Sequence, residues 1–153
     1  MKQFEAQVAW QRGPQSFADL RYSRKHEWIF DGGLRVPASS SPLSVPLPMS
    51  DPAAVDPEEA LVAAASSCHM LFFLAFAAQR GFVVDDYRDN AVGILAKNEE
   101  GNIAMTKIVL RPSITFSLTP PDAAELAAIH HTAHARCYIA NSIKAEIVVE
   151  AAP

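Results

Sequence analysis

Residues 56–81 read DPEEALVAAASSCHMLFFLAFAAQRG, and the fold turns on whether this stretch spans a membrane or lies inside protein. Its start carries several agreeing signals. Asp56 can cap free backbone N–H groups, Pro57 stands at the first helical position, where its missing N–H costs nothing, and Glu58 and Glu59 complement the positive helix end. Gly81, after Arg80, supplies a left-handed stop. The apolar run from Ala60 to Ala78 is long enough for a bilayer. Yet Ser66, Ser67, Cys68 and His69 interrupt its middle, and such groups need polar partners. The reading is a helix buried within protein, with no membrane partner. Apolar residues lie on every side of it, so it must be central and covered over most of its surface.

Upstream, Phe4, Ala6, Val8 and Trp10 alternate with polar residues, the period of a half-buried strand. Arg12-Gly13-Pro14 turns the chain. Short strands are expected around Leu20–Ser23 and His26–Phe30, closed by Asp31-Gly32-Gly33. The prolines are concentrated between Pro37 and Pro57, so Val36 to Val55 reads as an irregular excursion.

Downstream, after Val83–Tyr87, strands are expected at Ala91–Lys97 and Ile103–Leu118, joined by the hairpin tip Asn98-Glu99-Glu100-Gly101-Asn102. Pro112 should bend the second of these or place it at an edge. Thr119-Pro120-Pro121-Asp122 opens a second helix through Ala123–His134, and Lys144–Glu150 closes the chain as a strand. The order β-β-β-α-β-β-α-β describes an α+β chain whose antiparallel strands cover two helices.

The 153 residues fit a single domain, 1–153, with enough chain for a real core. Half are apolar and a fifth charged, as in ordinary globular proteins. The formal charge is -4 with no Lys/Arg cluster, which argues against nucleic acid as a partner. Met1-Lys2-Gln3-Phe4-Glu5 has no apolar signal region, and a cytoplasmic location is expected. Two cysteines are too few to staple a fold.

Those cysteines are the candidates for chemistry. Cys68 lies mid-helix in Ser66-Ser67-Cys68-His69-Met70. Free cysteine is often just a small buried hydrophobe, but this local polar cluster faces something wet or charged. Cys137 follows the second helix in Ala135-Arg136-Cys137-Tyr138. His131, His134 and Cys137, with His130 adjacent, recur at a spacing of three. The last position drifts about 120° from the first around a helix, which suits one metal ion poorly, and no metal ligand set is assigned.

Asp56-Pro57-Glu58-Glu59-Ala60-Leu61 with Ala63-Ala64-Ala65-Ser66-Ser67-Cys68-His69-Met70 resembles the first cysteine motif of the OsmC/Ohr family, the osmotically inducible and organic-hydroperoxide-resistance proteins. Ala133-His134-Ala135-Arg136-Cys137-Tyr138-Ile139-Ala140-Asn141-Ser142 resembles the second. The resemblance implies an OsmC-like fold, with two sheets wrapped around two central helices in an intertwined homodimer. It also implies a thiol-dependent peroxidase with no cofactor, whose partners are a hydroperoxide substrate and an external dithiol reductant. Cys68 matches the attacking cysteine, Cys137 the resolving one and Glu58 an assisting carboxylate. The resemblance also implies an assisting arginine from the N-terminal strands, for which Arg24 is favoured and Arg12 is the alternative. Tyr138 departs from the family, where Pro commonly follows the second cysteine.

Helix geometry bears on the role that the resemblance gives Glu58. Ten helical residues put Glu58 and Cys68 roughly 15 Å apart, too far for one site in a single chain unless the helix starts later. The expectation is an obligate dimer that joins Glu58 of one subunit to Cys68 of the other. The rival reading is a non-enzymatic dimer on the same fold that holds a small molecule or a metal.

Overall fold

The computed structural model describes residues 1–150, which form two compact units, Met1–Ala60 and the chain from Leu61 onward.

The first unit holds a three-stranded antiparallel sheet of β1 (Ala6–Ala9), β2 (His26–Phe30) and β3 (Arg35–Ala38), in that order. Val8 faces Trp28, and Trp28 faces Val36 across the sheet. The strand expected at Leu20–Ser23 is absent. Leu20 adopts a left-handed backbone (φ 61°), and the Ser23 N–H bonds the Gln15 side chain at 2.7 Å instead of a neighbouring strand. Conversely, β3 begins the stretch read as irregular. Pro37 is tolerated because it lies on an edge strand, where the ladder does not need its N–H.

Helix α1 (Pro57–Gln79) starts where the sequence places it. The Asp56 carboxylate accepts the Glu59 N–H at 2.8 Å, and the Glu59 side chain reaches back to the Asp56 N–H at 3.4 Å, a reciprocal capping box. Gly81 stops the helix with φ 85°.

In the second unit, β4 (Val83–Asp89) pairs antiparallel with β7 (Pro112–Ser117), and β5 (Val92–Lys97), β6 (Ile103–Leu110) and β8 (Glu146–Val149) form a separate sheet in the order β5-β6-β8. The strand read as Ile103–Leu118 is therefore two strands of different sheets. The break is at Arg111, whose N–H bonds the Asp89 carboxylate at 2.6 Å, followed by Pro112, which has no N–H to give. Val83–Tyr87, absent from the strand order expected from the sequence, lies within β4. The closing strand β8 runs parallel to β6, against the antiparallel expectation. This arises because the connection from β6 includes β7 and helix α2 (Ala123–Arg136), long enough to return the chain to the same end. Asp122 caps α2 through a capping box with Glu125.

Only one stripe of α1 is buried, Ala65, His69, Phe73 and Ala77, spaced by a little more than a turn. Phe73 and Ala77 pack with Ile129 and Ala133 of α2, while Ala65 packs with Ile108 and Leu110 of β6. By length and composition α1 could cross a membrane, but its buried stripe is seated in these protein clusters. The opposite side is open, with Leu71 62% exposed. One chain therefore does not cover the helix all round.

Candidate redox site

Cys68 and Cys137 lie side by side in the second unit, both as free thiols. Cys68 is half-buried on α1, two residues beyond Ser66, whose hydroxyl donates to Asp89 at 2.5 Å. Cys137 caps the C-terminus of α2 with extended backbone (φ -63°, ψ 118°), its N–H donating to the His134 carbonyl. Asn141 holds the following turn, donating through its side chain to the Cys137 carbonyl at 2.8 Å and to the Ala135 carbonyl at 3.1 Å.

Burial pushes the Cys137 thiol up to about 11, and the neighbouring Cys68 thiol adds to the shift. The Ala140 N–H, 3.4 Å from the sulfur, pulls the other way without cancelling it. Cys137 is thus a buried, protonated thiol at neutral pH beside a more accessible one.

The remaining predicted residues lie in the first unit. Glu58, on the first turn of α1, and Arg24 line one cavity of about 460 Å³, together with Trp10, Phe17, Tyr22 and His26. The aromatic wall is a packed cluster, with Phe17 and Tyr22 stacked at 4.6 Å and Trp10 edge-on to Tyr22 at 5.4 Å. Arg24 lies over the Tyr22 ring, 3.8 Å from its centre. It donates to the Leu20 carbonyl at 2.8 Å and to the Tyr22 carbonyl. Glu58 is not among the carboxylates that form ion pairs within the described residues, so it does not orient Arg24 in this chain. Backbone carbonyls presented by the left-handed turn at Leu20 do so instead. Arg12 bonds the Gln15 carbonyl at 2.6 Å and stays outside the cavity lining.

His131 is exposed, whereas His134 is half-buried and Cys137 buried, so the spacing of three does not gather them. Among the described residues no group of three or more His, Cys, Asp or Glu is arranged to hold a metal ion.

Sequence reasoning missed the cavity wall, because Trp10, Phe17 and Tyr22 follow no regular spacing. It also missed the meeting of His69 and His130, whose rings bond each other at 3.0 Å. The only sequence signal for the latter was a histidine inside an otherwise apolar helix.

The family model for OsmC-like proteins matches residues 50–152. An OsmC-like protein of unknown function from Vibrio cholerae is 51% identical, with 99% of this chain and all of that one aligned at a TM-score of 0.97. At 16% identity, an organic hydroperoxide resistance protein from Elizabethkingia anophelis has the same fold (TM-score 0.70, covering 99% of this chain and 94% of that one). So does the organic hydroperoxide resistance protein OhrB of Bacillus subtilis at 15% (TM-score 0.66, covering 97% and 98%). No curated protein sequence matches the chain. With both cysteine motifs, the α+β architecture and the family model in agreement, the chain belongs to the OsmC-like protein family.

Proposed function

We propose that this protein is a cysteine-based peroxidase that reduces organic hydroperoxides. The observation that carries the reading is the adjacency of a half-buried and a buried thiol, Cys68 and Cys137, on two different elements. The family's redox and peroxide-related character, with organic hydroperoxide resistance proteins among its members, supports it.

The accessible thiol attacks first. The Cys68 thiolate displaces an alkoxide from the O–O bond, taking one oxygen as sulfenic acid, and the alkoxide leaves as the alcohol after protonation. Cys137 then attacks the Cys68 sulfur. Its proton and the sulfenic hydroxyl depart as water, and the two sulfurs form a disulfide. An external dithiol restores both thiols by exchange. A thiol held near 11 is a weak nucleophile before oxidation, so Cys137 does not compete for peroxide.

Glu58 and Arg24 are proposed to act on Cys68 from a second copy of the chain. Ten residues of continuous helix keep Glu58 and Cys68 of one chain roughly 15 Å apart, and the open side of α1 leaves room for another subunit. In that arrangement the guanidinium favours the thiolate and the charge leaving on oxygen. The aromatic cavity beside it suits the hydrocarbon part of an organic peroxide better than hydrogen peroxide. A cytoplasmic setting, where thiols are kept reduced, completes the proposal.

The test is consumption of cumene hydroperoxide with dithiothreitol as reductant. Wild-type turnover supports the reading, and turnover by Cys68→Ser would refute it. The cavity favours one alternative, a non-enzymatic small-molecule binder, which predicts saturable ligand binding without peroxide loss.

A further inference from the structure

His69 and His130 are almost fully buried, and His69 Nε2 lies 3.0 Å from His130 Nδ1 with the rings nearly coplanar (6°). One nitrogen carries the proton and the other accepts it. The outer nitrogens, His69 Nδ1 and His130 Nε2, have no protein partner among the described residues. This bond lies inside the apolar seam between α1 and α2, where Phe73 packs at 4.5 Å from the His130 ring.

The bond sits at a telling place. His69 follows Cys68 directly on α1. His130 precedes the cap residue Cys137 by seven positions, close to two turns, so the cap leaves α2 near the face that carries His130. That face includes the buried Ile129 and Ala133. Apolar contacts resist separation of two helices but are non-directional and tolerate sliding. A slip of α2 by one residue moves its side chains about 1.5 Å and turns them about 100°. Neither change is compatible with a ring-to-ring bond at 3.0 Å.

We propose that His69 and His130 are positioning residues, whose bond sets the register of α2 on α1 and thereby holds Cys137 against Cys68 for disulfide closure. The role deepens the peroxidase reading and takes its redox meaning from it. The bond requires that at least one facing nitrogen be bare. A first proton leaves an N⁺–H···N bond, and a second opposes two N–H groups. Burial holds both rings down to about 4. The groups that act on them are His134 of α2, which disfavours charge on His69, and Asp89 of β4, which favours it on His130 and also acts on Tyr87. Asp89 is already engaged by the Ser66 hydroxyl and the Arg111 N–H.

The test uses dithiodipyridine and no peroxide. Cys68 opens the reagent's disulfide and releases one pyridinethione. Cys137 then attacks the Cys68 sulfur, giving up its proton, and releases the second as the protein disulfide forms. The second release reports positioning. His130→Phe is expected to slow it about tenfold or more, the scale of a misplaced reacting group. His130→Asn, which can present an acceptor where Nδ1 stood, should recover most of the rate. The wild-type rate relative to His130→Asn should drop as pH falls below about 4, where the second proton binds. Closure by a folded His130→Phe at the wild-type rate overturns the proposal, as does an Asn variant as slow as the Phe variant. A rate ratio independent of pH overturns it too. If His130→Phe does not fold, the Asn variant and the pH ratio decide. A chain that shows these rates but consumes no hydroperoxide keeps the positioning role and loses the peroxidase.

Discussion

Cys137 is 1% exposed and lies against Cys68, which remains half-open to solvent. The pair is therefore asymmetric before any oxidant arrives. Access favours attack by Cys68, while burial holds the Cys137 thiol protonated.

That asymmetry dictates different outcomes for the two cysteine variants. Cys68→Ser should consume no organic hydroperoxide. Cys137→Ser should consume at most one equivalent per chain in a single turnover, and excess peroxide should then carry Cys68 to sulfinic acid, read as added oxygen mass. Sustained turnover by Cys137→Ser in dithiothreitol would show that the second thiol is dispensable.

If Glu58 serves the Cys68 of another subunit, two dead variants should rescue each other. Mixing and reannealing Cys68→Ser with Glu58→Gln gives mixed dimers with one intact site each. Activity should return to about a quarter of wild type for random pairing of equal amounts of chain in a symmetric dimer. No recovery, in a mixture shown by mass to contain mixed dimers, would place Glu58 and Cys68 in separate functions. A monomer in sedimentation that is folded and active would do the same.

Acid should destabilise the fold through the buried imidazoles. His69 and His130 are held down to about 4 from an ordinary 6.5, mainly by burial. Between those values the unfolded chain binds protons that the native one refuses. Their contribution is therefore complete above about 6.5 and is lost as pH falls toward 4. The urea midpoint should decline over this window, and more shallowly in a folded His130→Phe variant. An unchanged midpoint down to pH 4 would mean that the rings titrate freely.

Gly93 on β5 should not tolerate alanine. A Cβ there would come within 2.6 Å of Val62 Cγ2 and 2.7 Å of the Met105 sulfur. Methionine can swing away, but β-branched Val62 on α1 has little rotamer freedom. Gly93→Ala should cost about 1–3 kcal/mol in chemical denaturation, the usual range for overpacking. A neutral result would show that α1 and β5 can move apart freely.

Much of this molecule was legible in local pattern. Asp56, Pro57 and Gly81 bracket α1 correctly because capping and chain-stop chemistry act within a few residues. Asp122 does the same for α2. The misreadings lie where a distant partner decided the outcome. Leu20–Ser23 looks like a strand, but Gln15 and the aromatic cluster claim its polar and apolar groups. Ile103–Leu118 reads as one strand, yet Asp89 takes the Arg111 N–H and splits it between two sheets.

The chain alone therefore determined the two helices, the family and the identity of the two thiols, since each depends on residues a few positions apart. Only the tertiary structure decided that Cys68 meets Cys137, that His69 bonds His130, and that Arg24 rests on Tyr22 instead of pairing with Glu58. Those contacts join positions up to 69 residues apart, and no local propensity encodes which buried groups will find each other once the helices are packed.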